Sequence, residues 1–437
     1  MNYQEALQYL DELGMRSIKN PLSHTQRLLD ELGAPDREVP AVHVAGTNGK
    51  GSVCSFLDSI LRKSGRRTGL FTSPHLVKIN ERMAVDGRMI SDGEFAAVFT
   101  EVREAVLRLE KEEVPEPSYF EYLYLCALQW FRKKGVEIAV IETGMGGLRD
   151  ATSAGRHDIL SVITSISFDH TGYLGSTIAE IAAQKAGIIR EGTPCVYLAS
   201  DPQVSAVIGE VLAEKSAPGF PLKPDDWEIR SVLQAKIDFS TLFRYDGHGV
   251  FSVPFAAPYQ AENGALAVLA AKTLAESCPE LCPGLTGEAV REGLAGMRWP
   301  ARMEELRPRV YIDGAHNPDG IRRFLEAVGC ILQNHRADAS LVFSAVQDKD
   351  SSRMIAEIAE AVDWTRIFVT EIDGWRKTDA SVLAETFRAC GARDVRERPE
   401  LKKALAEALA EQGEGYLFVC GSLYLSGMAE EILHDQL

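Results

Sequence analysis

Short apolar runs alternate with stretches of helical spacing along most of this chain. In the first half the runs include AVHVAG, TGLFTS, EIAVIET, DILSVITSI and PCVYLA, and after residue 300 they include RVYIDG, ASLVFSA, RIFVTEI and GYLFVCGS. Apolar runs separated by helices indicate βα units and largely parallel sheets. Between about residues 225 and 256 shorter strand-like pieces flank DGHG, which predicts an antiparallel excursion on the first domain.

One of these runs leads into a glycine-rich loop. The segment AVHVAGTNGKGS, residues 41–52, predicts a strand, a loop and then a helix from roughly Gly51 to Lys63. Glycines let backbone amides turn toward an anion at close range, and the helix N-terminus attracts negative charge. Lys50 adds a positive charge for the β- and γ-phosphates, so we predict ATP binding. The predicted nucleotide loop comprises Gly46, Thr47, Asn48, Gly49, Lys50, Gly51 and Ser52.

This loop is a shortened variant of the standard P-loop. Val44 stands where that motif has a glycine, and Gly51 displaces the hydroxyl of Ser52 by one position. A glycine-rich strand-to-helix turn without a ligand is therefore the alternative interpretation.

A second unit of alternating strands and helices follows the string MRWPARMEELRP. Trp-Pro and Arg-Pro interrupt regular structure there, after helices predicted from about Pro258 to Ser277 and from about Thr286 to Met297. We therefore predict an α/β protein of two domains. Residues 1–298 form a P-loop ATPase domain with a mainly parallel sheet, and residues 299–437 form a smaller Rossmann-like domain.

Composition and charge narrow the classes of partner. The 437 residues are 45% hydrophobic and 25% charged, which is ordinary for a globular protein. A net charge of −16 argues against a nucleic-acid or anionic-membrane surface. The N-terminus resembles an amphipathic helix rather than a signal peptide, and no apolar run is long enough to span a bilayer, so we expect a cytoplasmic protein. The eight cysteines are scattered, so we expect reduced thiols. Cys278 and Cys282 lack the further ligands of a zinc site.

Polar side chains also follow several of the predicted strands. Ser73 follows TGLFT, Glu142 closes EIAVI, and Asp169 and His170 follow DILSVIT. Because open parallel sheets bind ligands at the carboxyl ends of their strands, these groups together predict a Mg²⁺ site beside the triphosphate. Each segment taken singly has a plainer interpretation as a turn or a cap. Lys185 in AEIAAQKAGIIR has, from spacing alone, the position of a helix-surface lysine.

The string RVYIDGAHNPDG ends a strand in the second domain. It places Asp313, His316 and Asn317 on the loop before a helix. An Asx-type helix start accounts for the Asp and the Asn, but not for the whole string. Arg302 lies in the predicted linker, from which we expect it to reach a phosphate, in a site whose closure would exclude water.

Taken together, the motifs resemble the Mur-ligase-type ATP-dependent amide-bond-forming enzymes. The closest resemblance is to the bacterial folylpolyglutamate synthase/dihydrofolate synthase family. The strings that carry it are AGTNGKGS, FTSPHL followed by NERM, SYFEYL, ETGMGGLRDAT, SFDHTGYLG, KAGIIREG and DGAHNPDG, together with Asn263 and Arg302. They are collinear over nearly the whole chain.

The resemblance implies specific residue roles. The resemblance implies a catalytic role for Lys50, Lys185 and His316. Besides the loop, it implies nucleotide binding by Asn263, Arg302 and Asp313. Lys185 matches the family's carbamylated lysine, which serves a second Mg²⁺ because carboxylation turns a cation into an oxygen ligand. The implied first Mg²⁺ ligands are Ser73, Glu142 and His170. The residues implied to line the pterin-side pocket are Ser118, Tyr119, Phe120, Glu121, Arg149, Asp150 and Ala151.

The chain departs from the family pattern on the folate side. Ser118 stands where the family usually has Thr, Leu148-Arg149 reverses the usual order of a basic and a hydrophobic residue, and Ser153 stands where Asn is usual. The N-terminal segment NPLSHTQRLLDELG matches the family's pterin loop only loosely.

The activity implied is ATP-dependent addition of L-glutamate to a folate through an acyl phosphate. The sequence leaves open whether the acceptor is dihydropteroate, a tetrahydrofolate polyglutamate, or both. We expect the protein to be a monomer. Three alternatives stay open: a muramyl-peptide ligase, an ATP-driven switch protein and a small-molecule kinase. The first would be expected to carry a UDP-binding domain, whereas only about forty residues precede the loop here.

Overall fold

The computed structural model describes residues 1–14, 20–235, 238–333, 338–347, 350–372 and 377–435. The chain divides into two compact units. The first unit comprises Met1–Trp227 and Asn263–Met297, and the second comprises Glu228–Glu262 and Arg298–Leu437.

The first unit is built on an eight-stranded sheet in the order β4-β3-β2-β5-β1-β6-β7-β8. Its strands are β1 (Ala41–Ala45), β2 (Thr68–Phe71), β3 (Met83–Val85), β4 (Arg88–Met89), β5 (Ile138–Glu142), β6 (Asp158–Ile163), β7 (Cys195–Leu198) and β8 (Gly219–Leu222). The six strands β2, β5, β1, β6, β7 and β8 pair in parallel with their neighbours in the sheet. Strands β3 and β4 add an antiparallel edge. The predicted mainly parallel sheet is confirmed, and every residue of β1 and β5 is buried, as expected for central strands.

Helices of the first unit follow the predicted alternation. They are α1 (Tyr3–Gly14), α2 (Leu22–Glu31), α3 (Pro35–Glu38), α4 (Lys50–Lys63), α5 (Asp92–Glu110), α6 (Tyr119–Lys134), α7 (Thr171–Leu174), α8 (Ile178–Ala186), α9 (Pro202–Glu214), α10 (Pro258–Ser277), which the division between units crosses, and α11 (Gly287–Ala295). Short 3-10 helices occupy Ile79–Arg82, Ala151–Ala154 and Pro224–Asp226.

The helix after the nucleotide loop is an internal element of the unit. Residues of α4 from Gly51 to Leu61 are all buried. Helix α11 packs directly on it, since a Cβ at Gly293 would lie 2.5 Å from the Cα of Ile60. Helix α4 is therefore held in place by packing along most of its length, and not by the nucleotide loop alone.

The second unit contains two sheets. The smaller has the order β11-β10-β9 and the larger the order β12-β13-β17-β14-β15-β16. The strands are β9 (Trp227–Ala235), β10 (Asp238–Tyr245), β11 (Gly249–Val253), β12 (Arg302–Arg307), β13 (Val310–Asp313), β14 (Ala339–Phe343), β15 (Arg366–Val369), β16 (Val395–Glu397) and β17 (Tyr416–Cys420). The helices are α12 (Pro318–Gln333), α13 (Ser351–Ala361), α14 (Ala380–Ala389), α15 (Leu401–Ala410) and α16 (Leu423–Asp435).

The antiparallel excursion predicted near residues 225 to 256 is present as strands β9 to β11, and β10 and β11 pair antiparallel. By its contacts it groups with the second unit, and its assignment to the first functional domain stays a prediction. The reason is packing, because Ala256 and Ala257, which follow β11, belong to the core that contains Phe324 and Phe418. The functional domain limits at residues 298 and 299 stay a prediction.

No helix in the described ranges combines the length and the apolar character that a membrane crossing requires.

Candidate active site

Four neighbouring parallel strands of the first unit, in the order β2-β5-β1-β6, end at one edge of the sheet. The segments predicted to carry chemistry follow these ends. The nucleotide loop follows β1, Ser73 follows β2, Glu142 closes β5, and Asp169 and His170 follow β6. The carboxyl edge of this sheet is therefore where the candidate site is assembled.

The nucleotide loop is held in shape by the segment after β6. The Thr47 amide donates to the Ser165 carbonyl at 2.7 Å, and the Thr164 hydroxyl donates to the Asn48 carbonyl at 2.7 Å. Gly46 has no room for a side chain, since a Cβ would lie 1.7 Å from the Thr164 hydroxyl oxygen. The loop is thus fixed before any ligand arrives.

The second loop glycine sets the start of α4. Gly49 has a φ of +85° in the left-handed region and precedes the first helical residue, Lys50. A Cβ here would lie 2.5 Å from the amide oxygen of Asn263. Glycine therefore serves two purposes at this position, because it adopts the conformation without strain and leaves space for the Asn263 side chain. Asn263 was predicted to bind nucleotide, and the structure brings it to the loop.

Two lysines meet at the loop. The Lys50 ammonium donates to the carbonyls of Gly46 and Thr47, both at 3.1 Å. The Lys185 amine donates to the same Gly46 carbonyl at 2.7 Å and is only 4% exposed. Lys185 is therefore not the surface lysine that its helical spacing suggests, but part of the loop's immediate surroundings.

Burial and a neighbouring cation change the acid–base character of Lys185. Burial, followed by the positive charge of Lys50, lowers the pKa of Lys185 to about 7, although Asp169 and Asp150 act in the opposite direction. An ordinary lysine is almost wholly protonated at neutral pH, whereas this amine is neutral in a large fraction of molecules. Such an amine is a nucleophile at physiological pH.

Two of the three predicted ligands of the first metal lie together. The Ser73 amide donates to a carboxylate oxygen of Glu142 at 3.0 Å, and Glu142 is 4% exposed. His170 lies on the loop after β6 with a φ of +49°, and its own amide donates to Asp169 at 2.9 Å. A buried carboxylate beside a serine suits a hard cation such as Mg²⁺.

The gathering of the Ser73, Glu142 and His170 side chains around one ion stays a prediction. In the described residues, no group of three or more His, Cys, Asp and Glu side chains has the arrangement of a metal site. The predicted set also depends on the Ser73 hydroxyl and on a modified Lys185, which are ligands of other kinds.

Four of the predicted pterin-side residues, Ser118 to Glu121, form the N-terminus of α6. The Ser118 hydroxyl accepts from the Glu121 amide at 3.3 Å, while the Glu121 carboxylate accepts from the Ser118 amide at 2.8 Å, which is a capping box. The Arg82 guanidinium lies over the Tyr119 ring at 5.5 Å. The Phe120 ring lies against Gly144, where a Cβ would be 2.7 Å from the ring, so Phe120 adjoins the segment that follows Glu142.

Asp150 closes a turn beside this segment. Its carboxylate accepts from the Met145 amide at 2.7 Å and from the Thr152 hydroxyl at 2.6 Å. Ala151 begins the 3-10 helix that Asp150 caps, and Arg149 is exposed. The structure thus gives Asp150 a clear part in shaping the loop, and the substrate contacts of these three residues stay predictions.

Sequence reasoning missed a buried cluster around Glu121. Its carboxylate also accepts from Asn20 at 2.9 Å, from Thr25 at 2.7 Å and from His24 at 3.0 Å. All three donors belong to NPLSHT, the segment that matched the family only loosely. A polar residue at each of these positions in an otherwise amphipathic stretch was the available signal.

In the second unit, Asp313 is the centre of a buried polar group. Its carboxylate accepts from the Tyr259 hydroxyl at 2.7 Å and from the amides of Met303 at 2.9 Å and Ala315 at 2.8 Å. Burial raises the pKa of Asp313, although the Arg302 charge opposes this. Arg302 lies beside the Asp313 loop, since a Cβ at Gly314 would be 2.4 Å from its guanidinium.

The rest of that loop agrees with the expected helix start. Asn317 accepts from the Gly320 amide at 2.7 Å, and the His316 Nδ1 lies 2.8 Å from the Gly314 carbonyl. Because a carbonyl only accepts, Nδ1 carries the hydrogen there. Tyr259 was not singled out from the sequence, since nothing in the pattern of α10 connects it with β13.

Known families match both parts of the chain. The Mur ligase middle domain matches residues 44–271, and the Mur ligase glutamate ligase domain matches residues 301–423. A dihydrofolate synthase/folylpolyglutamate synthase of Bacillus subtilis is 37% identical over 361 residues, which are 82% of this chain and 82% of that protein. The chain belongs to the folylpolyglutamate synthase/dihydrofolate synthase family of Mur ligases. The resemblance inferred from the motifs is confirmed, and with it an ATP-dependent amino-acid ligase.

Solved structures of this family share the whole fold. A Mycobacterium tuberculosis folylpolyglutamate synthase complexed with ADP has a TM-score of 0.86 and 31% identity, with 98% of each chain covered. An Escherichia coli homologue in complex with DHPP and ADP has a TM-score of 0.83 and 26% identity, covering all of this chain and 98% of that one. The predicted Mur-ligase α/β architecture is confirmed.

Proposed function

We propose that this synthase joins L-glutamate to a pterin-bearing acid by way of an acyl phosphate, with ATP as the phosphoryl donor. The observation that carries the proposal is that Lys50 and Lys185 both donate to the Gly46 carbonyl of the glycine-rich loop. This loop lies at the same edge of the sheet at which Glu142 ends its strand. The membership of the chain in the ligase family supports it.

The chemistry requires activation of a carboxylate. A carboxylate is a poor electrophile and hydroxide is a poor leaving group, so an amine does not displace it in neutral water. Transfer of the γ-phosphoryl group to a carboxylate oxygen replaces hydroxide by phosphate as the leaving group. The glutamate amine then attacks the acyl carbon, the C–O bond to phosphate breaks, and the amine loses a proton.

Residues of the first unit supply charge and position for the first step. Lys50 neutralises charge that spreads over the transferred phosphoryl oxygens, and the loop amides fix the phosphates in line with the acid. Ser73, Glu142 and His170 would hold Mg²⁺, which supplies further neutralisation of phosphate charge. Asn263 adjoins the loop and is proposed to contact the nucleotide.

Lys185 is proposed to act as a carbamate. Its neutral amine nitrogen attacks CO₂, a C–N bond forms as one C=O π bond opens, and a proton leaves to solvent, so the neutral side chain would become an anionic oxygen ligand suited to a second Mg²⁺. The lowered pKa of Lys185 supports this, because only the neutral amine reacts. Within the second unit, Arg302 and Asp313 keep their proposed nucleotide-binding roles and His316 its proposed catalytic role. Action as a monomer in the cytoplasm also stays a prediction.

One assay tests the function. Purified protein is incubated with ATP, Mg²⁺ and isotopically labelled glutamate, with dihydropteroate and tetrahydrofolate offered separately, and the products are weighed. We expect glutamylated product with one or both acids, and ADP release that depends on glutamate. ADP release that continues at the same rate without glutamate would favour a small-molecule kinase, and the absence of any glutamylated product would overturn the proposal.

A second measurement tests Lys185. The protein is equilibrated with ¹³C-bicarbonate and its carbonyl region is recorded by NMR. We expect a carbamate resonance in the wild type that is absent from Lys185→Ala, and partial recovery of Lys185→Ala activity by short-chain carboxylic acids. A spectrum without that resonance, together with no recovery at any acid concentration, would contradict the carbamate.

A further inference from the structure

The side chains of His24 and Glu121 form a buried pair that the ligase mechanism does not use. Their side chains are only 4% and 6% exposed, and Nδ1 of His24 lies 3.0 Å from Glu121. The other ring nitrogen, Nε2, lies 2.6 Å from the Pro115 carbonyl. Both ring nitrogens therefore face oxygen atoms.

The hydrogen-bond pattern fixes the charge of His24. A carbonyl oxygen only accepts, so Nε2 must carry a hydrogen. The Glu121 carboxylate already accepts from a backbone amide, a side-chain amide and a hydroxyl, an environment that favours its ionised form. The ionised Glu121 carboxylate is also only an acceptor, so Nδ1, which faces it, must carry a hydrogen as well. An imidazole with two N–H groups is a cation.

The pKa shifts agree with this assignment. Burial lowers the pKa of His24, but the hydrogen bond to Glu121, the Pro115 carbonyl and the Glu121 charge together outweigh it, so the net shift is upward. For Glu121 burial raises the pKa, but the bonds from His24, Ser118 and Thr25 outweigh it and bring the pKa to about 2.

This ion pair connects three segments at the folate side. His24 lies in the first turn of α2, Pro115 lies in the connection between α5 and α6, and Glu121 lies in the first turn of α6. Asn20 strengthens the same junction by donating to both the Glu116 carbonyl at 3.1 Å and the Glu121 carboxylate at 2.9 Å. Removal of one charge of a buried pair leaves the other uncompensated, so the three segments depend on it together.

Tyr119 and Phe120 occupy the turn of α6 that the pair anchors. Phe120 in turn packs on Gly144, two residues beyond Glu142. A shift of the α6 N-terminus would therefore move the two rings implied to line the pterin-side pocket, while the nucleotide loop, which is held by Thr164 and Ser165, would keep its own contacts.

We propose that protonated His24, held by Glu121, is a positioning residue for the pterin-bearing acid and sets the affinity for that substrate without acting on ATP. The inference rests on the proposed function. Glu121 on α6 is the charged group that faces His24, while the Glu116 carboxylate in the connection bonds to Tyr9 and Arg27 on α2 pairs with Glu112.

The pH dependence of the wild type tests the proposal without any variant. Because the pKa of His24 is raised, its stabilising charge is fully present below its ordinary value of about 6.5 and is lost as pH rises through the raised value. From about pH 6 to about pH 9 we expect the KM for dihydropteroate or tetrahydrofolate to rise about tenfold, equivalent to about 1.4 kcal/mol. We expect the KM for ATP to change less than about twofold.

Two variants separate this role from a general loss of structure. His24→Gln removes the titrating charge, so its KM for the acid should equal the high-pH value of the wild type at every pH, with kcat matching the wild type. The control is His157→Gln, since Nδ1 of His157 lies 3.0 Å from the Arg37 carbonyl and the ring takes no part in the hydrogen bonds to Glu121 described above. It should reproduce the wild-type profile.

The outcomes distinguish the two proposals. Product formation with a KM for the acid that does not change with pH overturns the positioning role alone, as does a wild-type pH profile in His24→Gln. A parallel rise in the KM for ATP assigns the pair to general structure and also overturns it. Absence of glutamylated product at every pH overturns both the positioning role and the proposed function.

Discussion

Lys50 and Lys185 donate to one and the same backbone oxygen, the carbonyl of Gly46, at 3.1 and 2.7 Å. Two ammonium groups that share one acceptor repel, and burial of Lys185 reduces the solvent screening that would weaken the repulsion. The site relieves this by making Lys185 the weaker base. The same arrangement draws anions, either a phosphate or the carboxylate that a modified Lys185 would itself carry.

The buried amine of Lys185 makes stability depend on pH in a predictable direction. Its pKa falls from 10.5 in the unfolded chain to about 7 in the folded one. Between these values the unfolded chain binds a proton that the folded chain lacks, so stability rises with pH. In CO₂-free buffer, urea unfolding should show a gain of about 2 kcal/mol from about pH 7.5 to about pH 9. Lys185→Met should lack that gain, and an equal gain in both proteins would contradict the lowered pKa.

Removal of the Lys50 charge should affect catalysis far more than folding. Lys50→Ala should lower kcat/KM by about 100- to 1000-fold, or about 3 to 4 kcal/mol, as for other preorganised electrostatic groups. Lys63→Ala, in the last turn of the same helix, is the matched control because Lys63 is half-exposed and pairs with Glu292 at 3.4 Å. The control should stay within about twofold of the wild type. Near-native turnover of Lys50→Ala would refute its role.

Two glycines at the ends of α4 allow the loop contact to be separated from backbone strain. Gly49 and Gly65 have φ values of +85° and +84°, but only Gly49 has a neighbour, Asn263, in the way of a Cβ. Alanine at either position should cost about 1 to 2 kcal/mol of stability. Gly49→Ala should also weaken ADP binding by about tenfold or more, whereas Gly65→Ala should bind ADP normally. Calorimetric titration of both variants decides this, and equal ADP affinity would count against the loop.

The buried carboxylate of Glu142 should control the magnesium requirement. Glu142→Gln keeps an acceptor for the Ser73 amide but removes the negative charge. The Mg²⁺ concentration for half-maximal activity should rise about tenfold or more. Glu137→Gln is the control, because Glu137 lies just before the other end of β5 and bonds to Arg66. An unchanged Mg²⁺ requirement in Glu142→Gln would show that Glu142 is not a ligand.

The sequence was sufficient for the elements whose burial shows in their composition. The apolar runs gave the central strands, and α10 has the predicted limits of Pro258 and Ser277. The hairpin of β3 and β4 was missed, because Arg88 and Met89 are both exposed and carry no alternation. The grouping of β9 to β11 with the second unit was also out of reach, since it depends on packing between segments distant in sequence.

The candidate site shows the same limit. Motifs gave the loop, Ser73 and Glu142 because each lies at or just after the end of a strand, and that position is visible in a sequence. The burial of Lys185 was not visible, since its partner, the Gly46 carbonyl, lies 139 positions away in the chain. His24 and Glu121 were missed as a pair for the same reason, as they are separated by 97 positions.

The central claim is that an acyl phosphate forms before glutamate is joined. The direct test uses an acceptor acid labelled with ¹⁸O in its reacting carboxylate, together with ATP, Mg²⁺ and glutamate. When the amine displaces phosphate, one carboxylate oxygen leaves with it. We therefore predict that one ¹⁸O atom appears in the released inorganic phosphate for every amide bond formed. Glutamylated product accompanied by phosphate without ¹⁸O would contradict the account.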